Sequence, residues 1–271
     1  VQIICVGGLR LLKERRVHVT AVCCIEFGPS ATLLTAAVDG EVRLHSASIG
    51  HQLLMPLATL RPPNGVRVHC LDVFFGSEAN PTPHWAVASE HQQVQVWPLA
   101  ARTDAAAKPI ISITLETQPL LTLPSKLQPL GWKCLVAFLP YRPDVVACSG
   151  LTRQRKLMLF DYVRYAPLAV FPLDEWPTAL AVCTAAPLIA IGGASGNAKL
   201  VEYLAEPETP EELALERAAI GQTEGDLTEV MIRSAASVEL HCHNVRALKF
   251  AGATLYSAAD EEVSSWALPL V

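Results

Sequence analysis

The sequence is poor in charged and in aromatic residues. Asp, Glu, Lys and Arg together make up 17% of the chain, and Phe, Trp and Tyr make up 6%. A disordered chain shows high charge and few apolar residues, so this balance excludes that class. Apolar residues account for 51% of the 271 residues, which is enough to bury a large core. The net charge of −5 argues against nucleic-acid binding across the whole surface, although it leaves room for a local basic patch.

Paired cysteines and long apolar runs are also missing. None of the eight cysteines belongs to a Cys-x-x-Cys pair, so we expect free, buried thiols in a reducing compartment rather than a zinc site. No apolar run approaches the ~20 residues of a membrane span, and no signal peptide is visible. We expect an intracellular protein, cytoplasmic or nuclear. An organelle stays open because the sequence begins at Val1 rather than Met.

A repeated unit runs along the chain, and residues 18–48 give its clearest copy. A strand ends at Phe27, a second strand covers Leu33–Val38, and a third covers Val42–His45. Asp39 and Gly40 stand between the second and third strands. Asp-Gly between two short apolar strands predicts a tight hairpin.

A second copy lies near the end of the sequence. His241 precedes Phe250 by the same nine residues that separate His18 from Phe27, and Asp260 precedes Trp266 by six, as Asp39 precedes His45. Three weaker copies lie between the two. Their predicted strands end near Phe74, Ala88 and Trp97, or cover Val145–Cys148, Leu157–Phe160, Ala179–Val182, Leu188–Ile191 and Leu200–Tyr203. An outer strand is predicted at Ile110–Leu115, flanked by irregular loops. Repetition at this period indicates a repeat architecture.

These units resemble WD40 repeats over nearly the whole chain. The family pattern is a His, an apolar strand, a small-residue strand, an Asp turn and Trp-Asp, and the last pair is degenerate here. It reads His45-Ser46, Trp97-Pro98, Phe160-Asp161, Tyr203-Leu204 and Trp266-Ala267. The resemblance implies an all-β, WD40-type β-propeller with five clear blades plus a partial N-terminal one, six to seven in total. Residues 1–271 would form a single propeller domain, with residues 1–16 either in a partial blade or helping to close the ring.

The resemblance also assigns structural roles to the polar and aromatic residues of the repeat. A hydrogen-bond network within each blade would contain His18 with Asp39, His241 with Asp260, and the strand-end residues Trp97, Phe160, Asp161 and Trp266. Two copies of the His and Asp pair favour structure over catalysis, because an active site is usually built once. His241-Cys242-His243 has no third ligand near it in sequence, and Gly192–Gly196 lacks the Lys-Ser/Thr of a phosphate loop. We therefore expect no catalytic residue, metal or cofactor.

Residues 205–235 interrupt the repeat and form a predicted acidic insertion. Thr209 suits an N-cap, Pro210 the first helical position and Gly221 the end of a helix at roughly 210–220. The helix either packs on its own propeller or docks on a partner, and long insertions are often functional. Its acidic candidates for partner binding are Glu211, Glu212 and Glu216.

A basic cluster supplies the other candidate binding residues. Arg153, Arg155 and Lys156 are adjacent, with Arg164 close behind. They are either solvated loop residues or contacts for RNA or an acidic protein. The sequence favours a non-enzymatic WD-repeat scaffold or adaptor that binds other protein subunits of a multi-protein complex, without membrane insertion. The alternative is an assembly factor or subunit of a ribonucleoprotein particle, for ribosome biogenesis or RNA processing, that binds RNA through its basic loops. An enzyme would need a polar constellation at the channel mouth, and the sequence offers none.

Overall fold

Each strand lies beside a strand that neighbours it in sequence, so the sheets are simple meanders. The structure is a computed structural model. It describes residues 2–5, 10–28, 31–48, 53–61, 67–76, 83–89, 94–99, 111–113, 133–150, 155–205, 231–260 and 262–267. These ranges contain strands and turns but no helix. Within them, no helical segment has the length and apolar character that crossing a membrane requires.

The chain divides into two compact units, and the first holds residues 1–91 and 95–112. A hairpin and two four-stranded sheets belong almost entirely to this unit. The hairpin consists of β1 (Gln2–Cys5) and β2 (Arg10–Glu14). Sheet A contains β3 (Val22–Gly28), β4 (Thr32–Ala37), β5 (Val42–Ser46) and β6 (Pro56–Leu60). Sheet B contains β7 (Val68–Phe74), β8 (His84–Ser89), β9 (Val94–Pro98) and β10 (Ile111–Ile113).

The second unit holds residues 92–94 and 113–271, with three further sheets. Sheet C contains β11 (Leu135–Leu139), β12 (Arg142–Ser149), β13 (Lys156–Asp161) and β14 (Ala166–Pro172). Sheet D contains β15 (Pro177–Val182), β16 (Leu188–Gly193), β17 (Asn197–Ala205) and β18 (Met231–Glu239). Sheet E has three described strands, β19 (Ala247–Ala251), β20 (Thr254–Ala258) and β21 (Val263–Ala267).

The core lies between the faces of successive sheets within each unit. In the first unit Leu34 and Ala36 of sheet A pack with Leu71, Val73 and Trp85 of sheet B. In the second, one cluster joins sheets C and D and another joins sheets D and E. Strand β4 is buried along its whole length, as are five of the six residues of β13 and of β16. Strands covered on both faces read as continuous apolar runs, which explains segments such as Leu157–Phe160.

The five predicted repeats correspond to the five described sheets, A to E, and the predicted all-β, blade-like arrangement is confirmed. Apart from the outer strand predicted at Ile110–Leu115, which corresponds to β10, the fourth strand of sheet B, the predicted strands each became the first, second or third strand of a sheet. The fourth strands β6, β14 and β18 were not predicted. Strand β18 begins at Met231, so the connection from β17 covers residues 206–230. The predicted helix at 210–220 and the residues Glu211, Glu212 and Glu216 lie outside the described residues.

Glycine closes the turn between the second and third strands of sheets A and D. Gly40 has φ 82° and Gly196 has φ 97°, a conformation that side chains with a Cβ rarely adopt. The Gly196 carbonyl also accepts hydrogen bonds from the backbone N–H groups of Leu240 and His241, at 3.2 and 3.1 Å. This turn of sheet D therefore anchors the segment that leads into sheet E.

We predict that Gly196→Ala destabilises the protein much more than Gly252→Ala. A Cβ at Gly196 would lie 1.9 Å from the His241 carbonyl oxygen, whereas a Cβ at Gly252 (φ 58°) meets nothing within 4 Å. Gly252→Ala should cost about 1 kcal/mol, the penalty of a left-handed residue. Gly196→Ala should cost about 3 kcal/mol or more, because backbone has to move as well. Urea unfolding followed by circular dichroism measures both, and equal losses would refute the assigned role of Gly196.

Candidate functional site

A buried histidine joins three segments of sheet A. His18 precedes β3 and is 4% exposed. Its Nδ1 lies 3.1 Å from Oε2 of Glu41, and its Nε2 lies 2.8 Å from Oγ1 of Thr35 on β4. Thr35 Oγ1 in turn lies 2.9 Å from Nε2 of His45 on β5. The network therefore fixes the segment before β3 against β4, the β4–β5 turn and β5.

The Glu41 carboxylate determines which group donates in its hydrogen bond with His18. A carboxylate can only accept, so His18 Nδ1–H donates to Glu41. Thr35 Oγ1 lies between Nε2 of His18 and Nε2 of His45 and links the two rings. Burial, together with the nearby His18 and Arg43, lowers the pKa of His45 to about 4, so the ring is neutral at pH 7.

Glu41 balances several positive groups at once. Its Oε1 lies 2.7 Å from Arg61, and its Oε2 lies 2.8 Å from Arg43, while the side chain itself is only 8% exposed. Burial raises the pKa of Glu41, but hydrogen bonds from Arg43, Arg61 and His18 outweigh it and the pKa lies below its ordinary value. Glu41 is thus an ionised carboxylate whose acceptor positions are filled by neighbouring side chains.

Sheet E repeats the arrangement with different side chains. His241 Nδ1 lies 3.0 Å from Oε2 of Glu262, and His241 Nε2 lies 2.8 Å from Oγ of Ser257. Trp266 Nε1 donates to the same Ser257 oxygen at 3.2 Å. Trp266 therefore occupies the position that His45 has in sheet A. The Glu262 side chain is 60% exposed, so this copy of the network is more accessible to solvent than the first.

The acid of each network lies two residues beyond the one predicted. Glu41 and Glu262 contact the histidines, whereas Asp39 and Asp260 form hydrogen bonds with other groups. Asp39 Oδ1 accepts a hydrogen bond from the Glu41 backbone N–H at 3.2 Å, within its own turn. Asp260 Oδ1 accepts from Arg246 Nε at 2.7 Å. The glutamate side chains are the ones that reach the histidines across the turn.

The other predicted network residues form local contacts. Asp161 is buried, and its Oδ1 accepts from the backbone N–H groups of Val163 and Arg164. Phe160 packs its ring edge-on against Tyr165, with centroids 5.6 Å apart. Trp97 is fully buried, with no hydrogen-bond partner for its indole N–H among the described atoms. In sheet C the register places Cys148 where sheet A has Thr35, and burial raises the pKa of this thiol to about 12.

Sheet D holds its turn with a carboxylate instead of a histidine. Glu175 accepts from the Ser195 backbone N–H at 2.7 Å and from the Ser195 hydroxyl at 2.8 Å. A shallow cleft beside it is lined by Asp174, Trp176 and Lys199 among others. Lys199 Nζ lies 2.9 Å from Asp174 and 5.0 Å from the centre of the Phe171 ring. Asp174, Glu175 and Lys199 therefore have partners within sheets C and D and the connection between them.

The predicted basic cluster does not form one surface. Arg155 and Lys156 lie at the start of β13, and Arg164 lies beyond its end, roughly 17 Å away at the strand rise per residue. Arg155 donates to the Asp174 carbonyl at 2.7 Å, and Arg164 lies 3.8 Å from Asp161. Arg153 lies outside the described residues. Closeness in sequence did not predict closeness in space here, because the two ends of a strand lie at opposite ends of the sheet.

The polar residues described above hold turns and strands. His241 is buried in its network, while Cys242 and His243 are exposed in the loop before β19 rather than on a strand. In the part of the chain that the structure describes, no three His, Cys, Asp or Glu side chains are placed to hold a metal ion.

Sequence reasoning missed five members of the two networks: Thr35, Glu41, His45, Ser257 and Glu262. A signal was present, because Glu41 precedes His45 by four residues and Glu262 precedes Trp266 by four. Asp39 and Asp260 precede the same two positions by six and matched the expected turn pattern better. Only the side-chain lengths and the fold of the turn separate the two choices.

Comparison with known proteins identifies the fold. No family model matches the chain. The chain is 24% identical over 190 residues to WD repeat-containing protein 90 of Xenopus tropicalis, covering 68% of this chain but only 10% of that protein. The chain thus spans about a tenth of the length of this curated relative.

Solved structures match over more of the chain. A chain in the crystal structure of the mitotic checkpoint complex matches with a TM-score of 0.65 and 14% identity, covering 98% of this chain and 68% of that one. The β-propeller domain of Myceliophteria thermophila Cps50 (Swd1) matches with a TM-score of 0.57 and 13% identity, covering 92% and 66%. Saccharomyces cerevisiae Sqt1 matches with a TM-score of 0.56 and 14% identity, covering 98% and 64%. The fold is that of a WD40-type β-propeller with degenerate repeats.

We predict that Glu41→Gln destabilises the protein far more than Glu262→Gln. The first substitution leaves His18, Arg43 and Arg61 facing a neutral amide in a buried site, which should cost about 3 kcal/mol. The second removes a charge from a side chain that is 60% exposed, so its effect should be much smaller. Chemical unfolding at pH 7.5 compares the two variants, and a larger loss from Glu262→Gln would contradict the buried role of Glu41.

We predict that His45 makes the protein less stable in mild acid. Its pKa is about 4 in the folded chain and about 6.5 when unfolded, so the unfolded chain takes up the proton first as the pH falls. The free energy of unfolding should therefore drop between pH 6.5 and pH 4, by about 3 kcal/mol from this residue. His45→Gln keeps an N–H donor for Thr35 without titrating and should flatten that part of the pH profile. Identical profiles for the two proteins would rule out this assignment.

Proposed function

We propose that this WD40-type β-propeller is a non-enzymatic scaffold that binds other proteins in a multi-subunit complex. The main support for this proposal is that the polar side chains are used in structural hydrogen bonds. The histidines and carboxylates that most resemble catalytic groups are engaged in hydrogen bonds that hold strands and turns. What the fold then offers is a set of turns whose positions are fixed by these bonds.

Rigid turns suit protein recognition. Ordering a loop on binding costs free energy, so a surface that is ordered beforehand binds with a smaller penalty. The Asp161, Glu175 and Asp39 carboxylates each accept backbone N–H groups and so fix a turn or a strand end. Solved relatives in fold include a chain of the mitotic checkpoint complex, which is an assembly of proteins. Fold likeness alone gives only this general role.

Two groups of residues are the candidate contacts of the scaffold. The acidic group, Glu211, Glu212 and Glu216, belongs to the connection between β17 and β18. The basic group comprises Arg153, Arg155, Lys156 and Arg164. Because Arg164 lies at the far end of sheet C from Arg155 and Lys156, a single phosphate-binding patch made of all four residues is disfavoured. We therefore propose protein partners rather than RNA. In this proposal residues 1–271 act as one propeller domain.

Co-purification from native cells tests the proposal. The tagged chain is isolated with and without nuclease, and the bound proteins are identified by mass spectrometry. We expect stoichiometric protein partners that survive nuclease. Partners that disappear with nuclease would support a ribonucleoprotein role instead, and a chain that purifies alone would contradict both.

Two charge variants locate the contact. Glu211, Glu212 and Glu216 are replaced together by Gln in one variant, and Arg155 and Lys156 by Gln in the other. Loss of the partners with the first variant alone places the contact on the acidic connection. Loss with the second alone places it at the start of β13. Unchanged binding by both variants removes both groups from the list of contacts.

A further inference from the structure

Sheet D is packed on both faces, and the two faces of its first strand differ in side-chain size. Leu180 and Val182 of β15 pack against the cluster that sheet D shares with sheet C. Ala179 and Ala181 alternate with them on the strand and are buried in the cluster that sheet D shares with sheet E. The first strand thus presents bulky side chains to the preceding sheet and small side chains to the following one.

Two other sheets place bulky first-strand residues against the preceding sheet. In sheet E, Leu248 and Phe250 of β19 are buried against the small side chains of sheet D. In the first unit, Leu71 and Val73 of β7 pack in the same direction, against Ala36 and its neighbours in sheet A. The contact between two successive sheets therefore has the same construction in both units.

The other face of sheet E is open to solvent. In the strand register, Tyr256 and Val263 occupy the positions that the buried Ala190 and Ala198 have in sheet D. Tyr256 is 44% exposed and Val263 is 76% exposed. Lys249 lies on the same face, and a lysine stem packs along apolar surface while its ammonium stays in water. We call Lys249, Tyr256 and Val263 the Val263 face.

Sheet A presents the bulky side of the same kind of contact. The registers place Ile25 and Phe27 of β3 where sheet E has Leu248 and Phe250. Cys24, which alternates with them, packs toward sheet B, so Ile25 and Phe27 lie on the opposite face. Ile25 is 50% exposed and Phe27 is 58% exposed. We call these two residues the Ile25 face.

The contact between sheets D and E indicates what fits the Val263 face. The equivalent face of sheet D is covered by Leu248 and Phe250, so the matching occupant is a first strand with bulky apolar residues at those two positions. The Ile25 face is such a strand. Single exposed apolar residues are common on proteins. Two exposed faces that match the two sides of a contact already present in the chain are a more specific observation.

We propose that copies of this chain associate head to tail, with the Ile25 face of one copy packed on the Val263 face of the next. The two faces are different surfaces, so the contact is heterologous, and each pair of chains keeps one further Ile25 face and one further Val263 face at its ends. This proposal goes beyond the scaffold function, because the partner is a second copy of the chain.

Sedimentation velocity of the purified full chain tests the proposal. We expect reversible association that increases with concentration and continues beyond two chains. Ile25→Glu and Val263→Glu should each weaken it at least roughly tenfold, because each places a carboxylate without a partner in the contact. Val163→Glu is the matched control, at an apolar residue of sheet C that is 66% exposed, and it should associate like wild type.

Mixing the two interface variants separates head-to-tail association from other arrangements. The Val263→Glu chain retains its Ile25 face, and the Ile25→Glu chain retains its Val263 face. The mixture should therefore form a complex of one chain of each kind that grows no further. This recovery also shows that each variant keeps a folded binding face, so loss of association by the single variants is not a loss of the fold.

Three results would overturn the proposal. The first is a wild-type chain that stays a monomer at every concentration. The second is association of either interface variant alone that is as strong as that of wild type. The third is a mixture of the two variants that forms no complex.

The scaffold function has a separate readout. A wild-type chain that stays a monomer but co-purifies with other native proteins would sink the head-to-tail association and leave the scaffold standing. A chain that associates with itself but has no native protein partners would do the reverse.

Discussion

A buried imidazole held between a carboxylate and a hydroxyl is the interaction on which the sheets with the clearest repeats depend. His18 and His241 each donate from Nδ1 to a glutamate and share a hydrogen bond with a hydroxyl through Nε2. Both rings are buried, so a missing partner would leave a polar atom unsatisfied, at a cost of about 1–3 kcal/mol. The geometry of the segment before the first strand, the second strand and the following turn is therefore set together.

In the sheets without this histidine, other side chains hold the turns. Sheet D uses Glu175 to hold the turn at Ser195, and sheet C uses Asp161 to hold the turn that follows β13. In each case a carboxylate accepts backbone N–H groups of a turn. In sheets that lack the histidine network, other carboxylates therefore hold the turns. This is why sheets with very different polar residues retain one meander topology.

The first three strands of most sheets were predictable from sequence, whereas only sheet B had its fourth strand predicted, at Ile110–Leu115. Segments such as Leu33–Ala37 and Leu157–Phe160 are buried on both faces, so their apolar runs carry the signal. Strand β18 contains Arg233, Ser234 and Ser237 and is partly exposed, and β6 starts at Pro56. Outer strands bury less surface, and their sequences therefore resemble loops. The same limit applied to the candidate site, since the choice between Asp39 and Glu41 depends on reach across a turn.

A double-mutant cycle tests the central claim that Glu41, and not Asp39, completes the network of His18. His18→Gln is combined in turn with Glu41→Gln and with Asp39→Asn, and the free energy of unfolding is measured for each single and double variant at pH 7.5. We expect a coupling of about 2 kcal/mol between His18 and Glu41 and less than about 0.5 kcal/mol between His18 and Asp39. Strong coupling to Asp39 with none to Glu41 would contradict this account of how the fold is held.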